Sequence, residues 1–172
     1  SDRPELAAGE DAFGRSFTAV GDSVLLGARD SVLETFPGST VDATVSRPSW
    51  EVFKRVLDRR AAGKLGAVVV IHTGTNGSID EQQFDDLLQV LEDRSRVVLV
   101  TVKAPRSWTP EDNAIIRRLA AKYADGNVRL ADWEEYSRGK RAWFYSDGIH
   151  MRPDGADAYA QLPRRRARLY AP

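Results

Sequence analysis

A chain of 172 residues, 42% hydrophobic and 29% charged, is long enough to bury one core without staples and too apolar for wholesale disorder. Its 25 Lys and Arg balance 25 Asp and Glu, so no net field recruits nucleic acid or an anionic membrane. The absence of cysteine removes disulfides, thiolate metal sites and thiol nucleophiles together.

Residues 1–15 read as a polar lead-in or linker, and no run approaches the roughly 18 apolar residues of a membrane span or forms the apolar core of a signal peptide. An opening such as SDRPELAAGED has the character of an excised domain or a mature exported chain, so further upstream sequence is expected. Ser16 to Val20 is short, apolar and β-prone, and runs into Gly21-Asp22-Ser23. Val24 to Phe36 carries apolar residues at helical spacing until Pro37-Gly38 stops it. Val41 to Val45 is a second strand and Trp50 to Arg60 a second helix. Ala67 to Ile71 is a continuous apolar run of the kind covered on both faces. Beyond Thr73-Gly74-Thr75-Asn76-Gly77, Asp80 caps a helix over 81–93. Arg96 to Val102 is the next buried strand, Pro110 to Tyr123 a helix with Pro in its first turn, and Val128 to Ala131 another strand. A last helix starts near Pro153, and Pro163 is expected to kink or restart it. Strands alternating with helices of about a dozen residues imply βαβ crossovers, hence one α/β domain over 16–172 with a parallel sheet and helices on both faces. The Arg164, Arg165, Arg166 and Arg168 tail reads as a solvated helix face rather than a nucleic-acid patch.

In such a sheet, ligands gather at the carboxyl ends of the strands. Ser23 falls there, after a glycine that permits a tight strand-to-helix turn; taken alone, it reads as a helix N-cap. The Thr73–Gly77 loop taken alone is a turn or a phosphate cradle. Asp147-Gly148-Ile149-His150 precedes the last helix, and the only other histidine is His72, so any imidazole base must be one of these two.

The order Gly21-Asp22-Ser23, then Gly74-Thr75-Asn76, then Asp147-x-x-His150 resembles the SGNH (GDSL-like) hydrolase superfamily, from Gly21 to about Tyr159. The resemblance implies a flavodoxin-like three-layer sandwich with a five-stranded parallel sheet. It implies Ser23 as nucleophile, Asp147 and His150 as its acid–base pair, and an oxyanion hole of Ser23, Asn76 and a backbone donor near Ser46. Ser46 stands, in Val45-Ser46-Arg47-Pro48, where the family usually offers glycine. The stretches VDATVSRPSW, GDSV, TGTNG and DGIHMRPDGADAYA are similar to one branch, the extracytoplasmic domain fused to bacterial multi-span membrane acyltransferases, including peptidoglycan O-acetyltransferases. That branch implies transfer of an acyl group, expected to be acetyl, to or from a cell-envelope carbohydrate. It also implies no cofactor, and an extracytoplasmic location tethered through an upstream membrane acyltransferase domain.

The chemistry closes on its own terms. A serine hydroxyl is a poor nucleophile until a base takes its proton. His150 supplies the base, and Asp147 can hold its other ring nitrogen and stabilise the imidazolium. Attack on an ester builds charge on oxygen, and losing one donor to that charge typically costs about 100- to 1000-fold in rate. The acyl-enzyme then meets water or a sugar hydroxyl, and the acceptor pocket decides. The alternative is a free-standing carboxylesterase or lysophospholipase acting on small esters. A flavodoxin-like binding module fits poorly because the glycine loop follows the third strand, and an α/β-hydrolase fits poorly because no G-x-S-x-G surrounds any serine.

His72, at the end of a buried strand, is expected to be a hydrogen-bonded scaffold residue, and Asp22 a turn residue bonded to backbone. Trp143, Phe144 and Tyr145 are either a sugar-stacking platform or wall packing, with Trp143 and Tyr145 the candidate acceptor contacts. Trp50 and Trp108 are expected to pack in the core. Glu134 and Glu135 lack metal-ligand spacing with a histidine, and no metal is indicated.

Overall fold

The computed structural model describes residues 17–169, the stretch 164–169 as backbone alone. Its five strands are β1 (Phe17–Gly21), β2 (Thr40–Ala43), β3 (Val68–His72), β4 (Arg96–Val100) and β5 (Val128–Ala131). They pair in parallel throughout, in the order β2-β1-β3-β4-β5. Side chains alternate across a strand, so each apolar run feeds two cores. From β3 and β4, Val68, Val70, Val98 and Val100 point to one layer, while Val69, Ile71, Val97 and Leu99 point to the other. The first layer is covered by α1 (Ser23–Gly27), α2 (Arg29–Thr35) and α7 (Pro153–Leu169), the second by α3 (Ser49–Ala61), α4 (Glu81–Val90) and α5 (Thr109–Lys122). This is the expected three-layer sandwich.

Several boundaries differ from the sequence expectation. The helix read over 24–36 breaks at Ala28: Gly27 weakens it, and the Ala28 N–H turns back to the Leu25 carbonyl at 3.0 Å. The break still leaves Val24, Leu25, Ala28 and Val32 on one buried face. Strand β2 stops at Ala43, two residues early, because the chain there turns around the buried Arg47 side chain. The helix over 81–93 is α4 followed by a 3-10 turn at Leu91–Asp93, and a short α6 (Trp133–Tyr136) was not anticipated. Helix α7 runs through Pro163 without interruption. The lead-in at 1–15 and the side chains of the arginine tail lie outside the described residues.

Candidate active site

In a 2-1-3-4-5 sheet the chain winds in opposite senses from β1 and β3, which opens a crevice beyond their carboxyl ends. Three expected site segments converge on that end of the sheet. Gly21 closes β1, where any Cβ would lie 2.8 Å from the His72 carbonyl oxygen and 2.9 Å from Leu25, so only glycine lets the chain leave the strand so tightly. Asp22 caps α1, its carboxylate accepting from the Val24 N–H at 2.9 Å. Ser23 is therefore released from capping and, half-buried at the first helical position, turns its hydroxyl toward His150.

His150 sits on a loop closed from both sides. Phe144 and Met151 form an antiparallel bridge, the Tyr145 N–H donates to the His150 carbonyl at 2.9 Å, and the Gly148 N–H to the Tyr145 carbonyl at 3.0 Å. The buried side chains of Phe144, Ile149 and Met151 anchor this loop, and the Lys103 ammonium donates to the Gly148 carbonyl at 2.9 Å. At its tip, Asp147 Oδ1 accepts from the Ile149 and His150 N–H groups at 2.8 and 3.0 Å. Asp147 Oδ2 meets His150 Nδ1 at 2.6 Å, and His150 Nε2 meets Ser23 Oγ at 3.1 Å. An ionised carboxylate can only accept, so Nδ1 carries the ring proton and Nε2 is left as the acceptor for the serine hydroxyl. Partial burial pulls the Asp147 carboxyl up, but the His150 ring and the two backbone N–H groups outweigh it and hold the group at about 2.

Ser46 and Asn76 complete the expected set. Ser46 adopts φ 61°, the left-handed region where glycine is at ease; among the described residues it is the one non-glycine with positive φ. The family's usual glycine there and this strained serine thus answer to the same backbone demand. The Asn76 amide donates to the Arg47 carbonyl at 3.2 Å, leaving its second N–H for another acceptor. As the first residue of a helix, Ser23 adds a backbone N–H without an intrahelical acceptor.

Other residues fall where sequence placed them less well. His72 is sealed in the core, its Nδ1 2.6 Å from the Tyr159 hydroxyl, and burial lowers its basicity despite the nearby Asp22; it is a scaffold residue. Trp143 takes the wall-packing alternative: its half-buried ring stacks on Trp133 at 5.9 Å and packs against Tyr136. Tyr145 stays open to solvent at 50% exposure, with the Arg152 guanidinium over its ring. Trp50, expected in the core, is 59% exposed at the start of α3, whose inward face is taken by Val52, Phe53 and Val56. Trp108 is half-buried and donates to the Gly74 carbonyl at 2.8 Å. Arg47 was not singled out by sequence reasoning, although it lies within VDATVSRPSW; a buried arginine has no signature in a periodicity. Among the described residues, no group of three or more His, Asp or Glu is arranged to hold a metal ion.

No family model matches the chain. Over 144 residues, or 84% of the chain, it is 31% identical to the peptidoglycan O-acetyltransferase OatA of Listeria monocytogenes. Over 154 residues, or 89%, it is 30% identical to the O-acetyltransferase OatA of Staphylococcus aureus. The chain spans 22% and 25% of the lengths of these curated relatives. Among solved structures, the C-terminal catalytic domain of Streptococcus pneumoniae peptidoglycan O-acetyltransferase A, solved with a methylsulfonyl adduct, superposes with a TM-score of 0.72 at 24% identity, covering 90% of this chain and 93% of that one. A family 3 carbohydrate esterase from Clostridium thermocellum gives 0.71 at 13% identity, covering 88% and 94%. At these identities, the two structural likenesses speak for the fold.

Proposed function

We propose that the chain is a member of the SGNH hydrolase superfamily that transfers an acetyl group to or from a hydroxyl of a cell-envelope carbohydrate through an acyl-enzyme on Ser23. The observation that carries the reading is the unbroken series Ser23–His150–Asp147, with links of 3.1 and 2.6 Å. As Ser23 Oγ bonds to the acyl carbon, its proton passes to His150 Nε2, and Asp147 stabilises the imidazolium. The charge that develops on the carbonyl oxygen is met by N–H groups of Ser23, Ser46 and Asn76. Collapse breaks the bond to the leaving alcohol, which takes the proton from His150. A sugar hydroxyl then gives its proton to His150 as it attacks the acyl carbon, and collapse breaks the bond to Ser23 Oγ, which takes that proton back from His150 Nε2.

The sequence relatives named as peptidoglycan O-acetyltransferases support the acceptor class, and their greater length is compatible with a chain joined to a further portion, which by the resemblance of its motifs is a membrane acyltransferase that holds this domain outside the cytoplasm. No helix among the described residues is long and apolar enough to cross a membrane. Tyr145, exposed beside the His150 loop, offers an aromatic face to the acceptor sugar.

The test offers a chromogenic acetyl ester with and without chito- or muro-oligosaccharides. Correct alignment of an acceptor against concentrated water is worth as much as about 7–11 kcal/mol. Sugar ester should therefore appear by mass spectrometry at the expense of free acetate, and Tyr145→Ala should reduce transfer more than hydrolysis. Unchanged partition with every sugar, together with fast cleavage of long-chain esters, would make the chain an esterase instead.

A further inference from the structure

Arg47 is only 6% exposed, and its guanidinium is spread over the segment that leads into α3. Nη1 donates to the Gly21 carbonyl at 3.3 Å, the Asp42 carbonyl at 3.1 Å and Asp42 Oδ1 at 3.0 Å, while Nη2 donates to Thr44 Oγ1 at 2.8 Å. The side chain thereby folds back over its own loop, tying residue 47 to residues 42 and 44. Ser46 lies inside the ring so closed. A non-glycine residue in the left-handed region costs about 1–2 kcal/mol and persists only where its surroundings over-determine it. The guanidinium supplies that constraint.

The same residue reaches two other parts of the site. Gly21 is the last residue of β1, next but one to Ser23, so the guanidinium joins the nucleophile turn to the Ser46 loop; the Thr44 N–H adds a second tie to the same carbonyl at 3.4 Å. The Arg47 carbonyl receives the Asn76 amide, which fixes the plane of that amide and the direction of its second N–H. Three segments that must agree on the position of one oxygen are therefore registered through one side chain and its own backbone.

We infer that Arg47 is a positioning residue for the oxyanion hole, acting through the backbone of Ser46 and the amide of Asn76 rather than on substrate. The inference rests on the reading of Ser23 as the acylated residue. Stability alone is a poor reason for such a group. Buried ion pairs are weak stabilisers because desolvation offsets their attraction, and the buried Arg47 Nε makes no hydrogen bond among the described residues. Its partner Asp42 also accepts from Arg55 and Arg59 at 2.7 Å each. Burial raises that carboxyl, but the three arginines bring it to about 2, so the counter-charge is present across the working pH range. A lysine could answer the charge but not the fork, since one ammonium cannot span Gly21, Asp42 and Thr44 together.

The experiment measures kcat and KM for a chromogenic acetyl ester in the wild type, Ser23→Ala, Arg47→Lys, Thr44→Val, Asn76→Ala and the Arg47→Lys/Asn76→Ala pair, with melting curves for each. Loss of one oxyanion donor costs about 100- to 1000-fold. Partial misalignment in Arg47→Lys should lower kcat about 10- to 100-fold, with KM within about twofold. Thr44→Val, which removes one tie and keeps the charge pair, should lower kcat about three- to tenfold and serves if Arg47→Lys does not fold. In the Asn76→Ala background the Arg47→Lys loss should be severalfold smaller than in the wild type, because the share carried by the amide is gone while the share carried by the Ser46 backbone remains. A purely structural arginine would instead lower the melting point, leave kcat per folded molecule intact and show no coupling to Asn76; either result overturns the inference. If Ser23→Ala is as active as the wild type, the reading of the site itself fails, and that outcome is distinct from a normal kcat in Arg47→Lys or Thr44→Val.

Discussion

Asp22 takes the helix cap and leaves Ser23 free: the Asp22 carboxylate accepts from the Val24 N–H at 2.9 Å, while the adjacent Ser23 hydroxyl lies 3.1 Å from His150. Neighbouring residues with interchangeable chemistry thus divide two duties that a lone N-terminal serine would combine.

That division makes Ser23→Ala a clean probe. With the cap retained, the variant should melt close to the wild type, while turnover of an acetyl ester falls by several orders of magnitude. A methanesulfonyl fluoride adduct on the intact protein, followed by mass spectrometry, should disappear in the variant. Persistent labelling there, or near-normal turnover by a folded protein, would remove Ser23 from the mechanism.

Asp147→Asn preserves shape and loses charge. The amide can still accept from the Ile149 and His150 N–H groups, but it can donate to His150 Nδ1 and so favour the wrong tautomer. The loss in kcat in such triads is about 10⁴-fold, and an ester assay should show it. Because the wild-type carboxyl is depressed from 3.8 to about 2, the stability it contributes is present above about pH 4 and lost as pH falls through about 2. Melting curves of wild type and variant should accordingly converge only in strong acid.

Ser46→Gly tests the strained turn. Glycine at φ 61° relieves the left-handed cost and keeps the backbone N–H, so the variant should gain up to about 1 kcal/mol in denaturant unfolding and retain activity. Ser46→Pro cannot adopt that φ and lacks the donor, and should lose both stability and turnover. Equal stability of the glycine variant and the wild type would mean that the loop bears no strain there.

Asp112 lies under the Asn76 loop, 1% exposed, accepting from the Ile79 N–H at 2.8 Å through one oxygen while the other has no partner among the described residues. Burial raises its carboxyl from 3.8 to about 6 in spite of that bond. A raised value means that the folded state holds the proton more tightly than the unfolded chain. The stability it adds is thus complete below about pH 4 and lost as pH rises through about 6. Asp112→Asn keeps an acceptor without a titrating group, so it should gain on the wild type between pH 4 and pH 7, by at most about 3 kcal/mol. A difference in melting point that does not change with pH would refute this.

Much of this was readable in advance where one residue type signals one environment. The runs Ala67–Ile71 and Arg96–Val102 mark strands covered on both faces, and both are interior strands of the sheet, β3 at its centre and β4 beside it. That Ser23, Asp147 and His150 would come together was carried by their order along the chain, which resembles that of the SGNH hydrolases; by position alone Ser23 reads as a helix cap and His150 is one of two candidate imidazoles. What escaped depends on neighbours distant in sequence. Asp42 with Arg47, Arg55 and Arg59 looks like surface charge until the fold brings one carboxylate among three guanidinium groups. Trp50, expected in the core, is left in solvent, and Trp143 takes the wall-packing alternative, because a ring that stacks on Trp133 and a ring left in solvent look alike in one dimension. The break at Ala28 was hidden because the apolar spacing continues across it.

Ser23 and His150 stand 127 positions apart, and the sheet order puts β1 between partners that are both made after it. During synthesis the serine therefore emerges long before the imidazole that would activate it, and before the third strand that flanks it. Throughout that interval it is an ordinary alcohol, inert toward activated esters. On the reading proposed above, reactivity at Ser23 waits for the loop that carries His150, so an acylation signal would report only those molecules in which residues 127 positions apart have come together.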